Sequence, residues 1–283
     1  MTARRVIETH LHALGEIKAI LRAMKNLALM ETQKLTRFLT TQRRVVDSIE
    51  TAAEDFWAFH PELAQHLNAR TPLWVVIGSE RGFCGDFNER LEATVERHLS
   101  RDSLSDASLV VVGQKLGARL ATHRRTVVSV AGPTVAEEVP SVLITLMDLL
   151  RELQTGRARG TEFALTIVHH RPSTEGGTIR IHEPMKRPSQ GRVRFGYPPL
   201  LNLDPSAFAT HLLDEHLFTL LHEVFYSSLM VENQRRFEHM DQAIRRLDRD
   251  MGELLLKRNI WRQEEITEEI EVIMLSAEAL RPR

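Results

Sequence analysis

Two stretches of the chain place apolar residues at alternating steps of three and four, and they lie at opposite ends. Within residues 206–281, Phe237, Met240, Ile244, Leu247, Met251 and Leu254 recur at the 3.5-residue period of a coiled coil. Pro205 precedes this run and Pro282 follows it, and inside it there is no proline and one glycine, Gly252. A continuous helix here would be roughly 110 Å long at about 1.5 Å per residue. Such a helix needs a partner along its side. Residues 3–59 supply one: they hold a single glycine, Gly15, and carry Ile7, Leu11, Leu14, Ile17, Leu21, Met24 and Ala28 as a seam. The seam returns at Leu35, Phe38, Val45, Ile49 and Phe56. An ordinary helical bundle would call for more than two such helices.

Between the ends the pattern changes. Short β-rich runs at 73–77, 108–112, 126–130, 163–169 and 178–183 alternate with helical stretches at 87–99, 114–124 and 136–153. Strand alternating with helix implies a largely parallel sheet covered by helices. Residues 184–205 hold five of the eleven prolines and read as a loop, with one short strand at 192–195. The expected fold is mixed α/β: a long antiparallel coiled coil of N- and C-terminal helices (1–60 and 206–283) with an inserted Rossmann-like α/β domain (70–205).

Charge adds little direction. Lys and Arg (37) nearly cancel Asp and Glu (38), so no global field argues for nucleic acid or an anionic membrane. The single cysteine, Cys84, cannot form an internal disulfide and fits a reducing compartment. Glu8, His10 and His12 break the apolar stretch a signal peptide needs. No run of about 18 apolar residues is present to span a bilayer, so the expectation is a soluble protein or one peripheral to a membrane.

Candidate chemistry concentrates in Gly78-Ser79-Glu80-Arg81-Gly82-Phe83-Cys84-Gly85-Asp86, where a strand turns into a helix; open α/β sheets bind ligands at such places. Cys84 and Arg90 have the spacing of a phosphatase loop, but Asp86 and Glu89 lie within it and would repel a phosphate. Cys84 could instead be a nucleophile with His169 or His170 as base, although histidines at strand ends usually lie at the surface. That reading makes the chain a cysteine-dependent α/β hydrolase with helical oligomerisation arms. The loop is neither a Walker A sequence nor a Gly-x-Gly-x-x-Gly loop, and Gly113-Gln114-Lys115-Leu116-Gly117 reads as a tight turn. His10 with His12, and His211, His216 and His222, lack metal-ligand spacing, so no metal and no cofactor are expected. The alternating charges of 235–250 read as a solvated helix face.

Three segments in order then resemble a known family. Asn259 followed by Arg262-Gln263-Glu264-Glu265-Ile266-Thr267-Glu268-Glu269-Ile270 is similar to the C-terminal signature of the gamma subunit of rotary F-type ATP synthases. Ile20-Leu21-Arg22-Ala23-Met24 resembles that family's N-terminal Ile-Thr-Lys-Ala-Met, and Ser79 to Asn88 resembles its Ser-Asp-Arg-Gly-Leu-Cys-Gly-Gly-Leu-Asn. Leu203-Asp204-Pro205 echoes an Asp-Pro pair before the long helix.

The resemblance implies a non-catalytic shaft, standing inside a hexamer of alpha- and beta-type subunits. Its foot would rest on a membrane rotor ring beside an epsilon-type subunit, at the cytoplasmic face of a bacterial plasma membrane. It also implies torque-transfer contacts at Arg262, Gln263 and Thr267, with Met24 facing the same zone. A smooth apolar tip is expected at Ile273, Met274, Leu275, Ala277, Ala279 and Leu280, with Glu278 the exception. Glu80 and Asp86 depart from the family's Asp and Gly; the second departure costs the freedom of a glycine. The segment after Ala28 is less basic than usual, and 197–203 lacks the usual Tyr-Glu-Pro. Such departures suggest a divergent, alternative or sodium-linked branch.

Overall fold

The computed structural model describes residues 3–63, 70–99, 107–121, 126–155, 162–174, 177–184 and 196–279. In chain order the elements are α1 (Ala3–Phe59), β1 (Arg70–Ile77), α2 (Phe87–Leu99), β2 (Ser108–Val112), α3 (Gln114–Leu120) and β3 (Thr126–Val130). A 3-10 turn (Ala136–Glu138) leads into α4 (Val139–Thr155), followed by β4 (Glu162–Arg171), β5 (Thr178–His182) and α5 (Pro205–Ala279). The short strand expected at 192–195 lies outside the described residues.

The two long helices have chemical starts and stops. The α1 helix, 57 residues long, ends at Phe59, before His60-Pro61, because a residue that precedes proline is pushed out of the α region. The α5 helix, 75 residues long, begins at Pro205, where the missing N–H costs nothing. The Asp204 carboxylate accepts the Ser206 N–H at 3.1 Å and also the Ser206 hydroxyl, capping the helix start.

The chain divides into two compact units, Met1–Leu27 with Phe237–Arg283, and Ala28–Arg236. In the second, five strands run in the order β3-β2-β1-β4-β5. The first four are parallel and β5 is antiparallel to β4. Side chains alternate across the sheet. Leu73, Val75, Ile77, Val110, Val112 and Ile167 face α4 and α5 in one core, with Leu143, Leu146, Leu221, Val224 and Phe225 packed on them. Trp74, Val76, Leu109, Val111 and Val168 face α2 and α3 in the other, against Phe87, Leu91, Val95 and Leu116. Burial on both faces explains why the parallel strands read as continuous apolar runs.

In the first unit α1 and α5 pair antiparallel. Lys18 forms an ion pair with Asp248, and Lys25 with Asp241 at 2.5 Å, one heptad apart on each helix. The Lys25 ammonium also lies 5.0 Å from the Phe237 ring centre. The expected α1 seam is corrected here: Ile17 is 47% exposed, and the Lys18 side chain is only 19% exposed. In the second unit the buried positions are likewise Leu39 and Val46, while Phe38 and Val45 are exposed.

Candidate functional site

The stretch Ser79–Asn88 was the main candidate for chemistry, and its side chains are spent on holding the backbone. Ser79 N–H donates to Asn88 Oδ1 at 3.0 Å, and Asn88 Nδ2 donates to Ser79 Oγ at 2.7 Å. The Cys84 thiol donates to that same Oγ at 3.5 Å. Cys84 is buried, and burial raises its pKa, which disfavours the thiolate a nucleophile needs. The histidines are not at the surface, contrary to expectation. His169 and His170 are buried, and each rests against a backbone carbonyl, His169 Nδ1 on His170 O and His170 Nε2 on Phe87 O, both at 2.9 Å. Burial lowers their pKa values to about 3 and about 4. No observation supports the hydrolase reading.

The crevice itself is filled. Strand order reverses direction between β1 and β4, the place where such sheets take ligands, but α5 crosses it. Ser228 Oγ donates to Ile77 O at 3.3 Å, and a Cβ on Gly177 would meet Val231 Cγ1 at 2.5 Å. Glu80 occupies the position a bound anion would take: its Oε2 accepts Gln114 N–H at 3.0 Å and Gly132 N–H at 2.7 Å. Gly113 between them has φ 100, and a Cβ there would lie 2.7 Å from Ser79 O, so this approach requires glycine. Asp86 is not strained, because the positive φ values of this loop fall at Phe83 and Gly85. Its carboxylate pairs with Arg235 at 3.8 Å. Among the described residues no group of His, Cys, Asp or Glu could hold a metal ion.

The run expected to be a plain solvated face contains buried charge. Arg236 uses its whole fork: Nε donates to Gly82 O at 3.3 Å, Nη1 to Asn233 Oδ1 at 2.7 Å, and Nη2 to Glu232 Oε1. Burial pushes the Glu232 carboxyl up to about 7, against the opposing pull of Arg236. Alternation of charge along the sequence hid this, since i, i+4 partners on a buried face read the same as on a wet one.

The shaft residues fall elsewhere. Met24 is half-buried, while Arg262, Gln263 and Thr267 are exposed, and Thr267 Oγ1 donates to its own helix at Gln263 O, 2.9 Å. With Lys18 opposite Asp248, the start of α1 at Ala3 lies level with about Gln263. Arg262 and Gln263 therefore lie level with the first described residue of α1. Beyond them Ile266 and Ile270 are exposed, and Ile273, Met274 and Leu275 are 65%, 66% and 67% exposed. Ala277 and Ala279 lie on α5, but their side chains, like all of Leu280, fall outside the described residues.

The model of the ATP synthase family matches residues 3–280. The chain belongs to the ATP synthase gamma-subunit family. Similar gamma chains include those of Stenotrophomonas maltophilia, 22% identical over 99% of this chain and all of that one, and Moorella thermoacetica, 26% identical with the same coverage. Among solved structures, a chain of the Euglena gracilis mitochondrial ATP synthase (OSCP/F1/c-ring) aligns with TM-score 0.65 at 14% identity, covering 98% of this chain and 94% of that one. A chain of the Tetrahymena thermophila mitochondrial ATP synthase central stalk and c-ring aligns with TM-score 0.59 at 16% identity, covering 79% and 99%. This gamma subunit is a structural and coupling component of its complex, not a catalyst alone. The family motif around Cys84 is accordingly a fold determinant: Ser79, Cys84 and Asn88 tie one turn together.

Proposed function

We propose that this gamma subunit is the central rotor shaft of an F-type ATP synthase, coupling ion-driven rotation of a membrane ring to ATP synthesis or hydrolysis in a hexamer of alpha- and beta-type subunits. One observation carries the reading: α5 outruns α1 and continues as a single helix whose large apolar side chains are exposed from Ile266 to Leu275. An apolar helix surface of that extent needs surroundings. Family membership supports reading those surroundings as the bore of the catalytic hexamer, where apolar contact without fixed ion pairs lets a shaft turn. Ile273, Met274, Leu275, Ala277 and Leu280 form the tip. Arg262, Gln263 and Thr267 meet the catalytic subunits where torque is handed over. Met24 does not share that zone, since the Lys18–Asp248 and Lys25–Asp241 pairs set it level with about Gln242; it is a separate contact farther down the rod. The α/β unit, with an epsilon-type subunit, stands on the rotor ring. No helix among the described residues is long and apolar enough to cross a membrane, which suits a peripheral subunit on the cytoplasmic face of a bacterial membrane.

Reassembly of the purified chain with alpha- and beta-type subunits tests this. The complex should hydrolyse ATP while the chain alone does not, and Arg262→Ala with Gln263→Ala should slow turnover of the complex. A chain that hydrolyses a substrate by itself, or a complex that is equally active without it, would sink the reading.

A further inference from the structure

The α/β unit is bonded to both long helices by charged side chains near the level where they leave it, with Glu31, Glu232 and Arg236 buried and the Lys34–Glu137 bridge exposed. The unit begins at Ala28 on α1 and ends at Arg236 on α5. One turn inside on α1, the buried Glu31 accepts Ala136 N–H at 2.6 Å. Lys34 bridges Glu31 at 3.0 Å and Glu137 at 2.8 Å. On α5 the last residue inside is Arg236, whose fork reaches Gly82 O, Asn233 and Glu232.

Stability is a poor explanation for this arrangement. A buried Arg–Glu pair can often be replaced by apolar residues of similar size without loss, because desolvation offsets the Coulomb attraction. The apolar core already packs α5 on the sheet through Leu221, Val224, Phe225 and Leu229. What apolar packing lacks is direction. On α5, Nη1 and Nη2 bond Asn233 and Glu232 of the same helix and hold the guanidinium in one orientation. Nε thereby meets Gly82 O at 3.3 Å, the one fork bond that ties the azimuth of α5 to the α/β unit. The Glu31 carboxylate on Ala136 N–H does the same for α1.

We propose that these groups form a charged collar through which turning of the α/β unit passes into the two helices, so that Arg236, Glu232, Glu31 and Lys34 are positioning residues for rotary coupling. The proposal rests on the shaft reading above. Under load, a helix free to roll against its seat would let the ring and the catalytic sites lose step; the collar prevents that roll.

The test uses the full chain reassembled with its hexamer and ring in lipid vesicles. Two variants are compared with wild type, Glu232→Met with Arg236→Met, and Arg236→Lys, which keeps the charge and loses the fork. Three quantities are read: the melting temperature of the chain, the ATP hydrolysis rate, and ions taken up per ATP, followed with both a pH-sensitive dye and a sodium tracer. The double variant should melt at or above the wild-type temperature and hydrolyse ATP, yet take up fewer ions per ATP. Arg236→Lys should show a smaller loss of the same kind, and it keeps the test decisive if the double variant does not fold. Uptake per ATP equal to wild type in the variants that fold would overturn the collar, as would hydrolysis and uptake falling together in proportion to lost protein. A wild-type chain that fails to restore coupled uptake would instead count against the shaft reading.

Discussion

The α/β unit and the helical unit are stabilised by different means. In the α/β unit, helices seal both faces of the sheet, and Val75, Val110, Leu143, Ile167 and Leu221 have no exposed surface. In the helical unit, Met240 and Ile244 are buried, but Leu247, Met251 and Leu254 are only half covered, and Lys18 and Lys25 occupy seam positions as ion-paired cations. A sheet covered on both sides completes its own core. A two-helix rod leaves most of each helix surface open, and the part of α5 beyond α1 has its apolar face bare. The α/β unit is built to be finished alone, and the helical unit to be finished by what surrounds it.

The sharpest way to break this contrast is to hollow out the core that should matter most. Phe225→Ala removes a ring with 1% exposure and should destabilise the α/β unit by about 3–5 kcal/mol in denaturant melts. Ile273→Ala, on the exposed tip, should leave the melt unchanged within about 0.5 kcal/mol. Equal effects at the two sites would dissolve the distinction.

Acid should act next most strongly, and through the α/β unit. His169 and His170 have folded pKa values near 3 and 4, lowered first by burial. Unfolded imidazoles titrate near 6.5, so the unfolded chain binds the extra protons. Stability is therefore lost as pH falls below that value, by up to about 1.4 kcal/mol per unit for each histidine. Glu232 runs the other way. Its carboxyl, raised to about 7 by burial, favours the fold at low pH, and that contribution is lost as pH rises from about 4.5 through 7. His182, His216 and His222, also lowered by burial, act in the same direction as His169 and His170. Glu232→Gln should steepen the rise of stability between about pH 5 and 6 in urea melts, by up to about 1.4 kcal/mol per unit. An unchanged slope would mean that Glu232 is ionised in the fold.

The smallest effect belongs to the rod. A Cβ on Gly15 or Gly252 would meet nothing within 4 Å, and both glycines lie inside helices. Gly→Ala at either should stabilise the helical unit by up to about 1 kcal/mol, seen as slower amide exchange along 240–255. Faster exchange would show that the glycine serves a contact the isolated rod does not make.

Periodicity made the architecture legible because each element repeats its signal many times. The α5 seam from Phe237 to Leu254 and the apolar runs of β1 and β2 needed no help from context. The α1 seam departs from the apolar pattern at Ile17, Phe38 and Val45, and for the first the clue is in the spacing: Leu11, Leu14 and Ile17 give two steps of three in succession, which no heptad allows. The regular path runs through Lys18 and Lys25, and a seam lysine is invisible to a search for apolar residues. The Cys84 loop misled in the opposite direction. A cysteine, an arginine and glycines at a strand end suggest chemistry, and only tertiary contacts reveal that Ser79 engages Asn88 and Cys84, while α5 engages Gly82 O and Asp86. Arg236 and Glu232 could not be told from surface charges, since their burial depends on residues more than 140 positions away, such as Gly82.

Glu80 has one further consequence. The α/β unit retains the sheet layout that in many proteins receives a phosphate. By seating its own carboxylate on the amides of Gln114 and Gly132, the chain meets those donors from within. A fold whose outline suggests a vessel is thereby sealed by its own side chain.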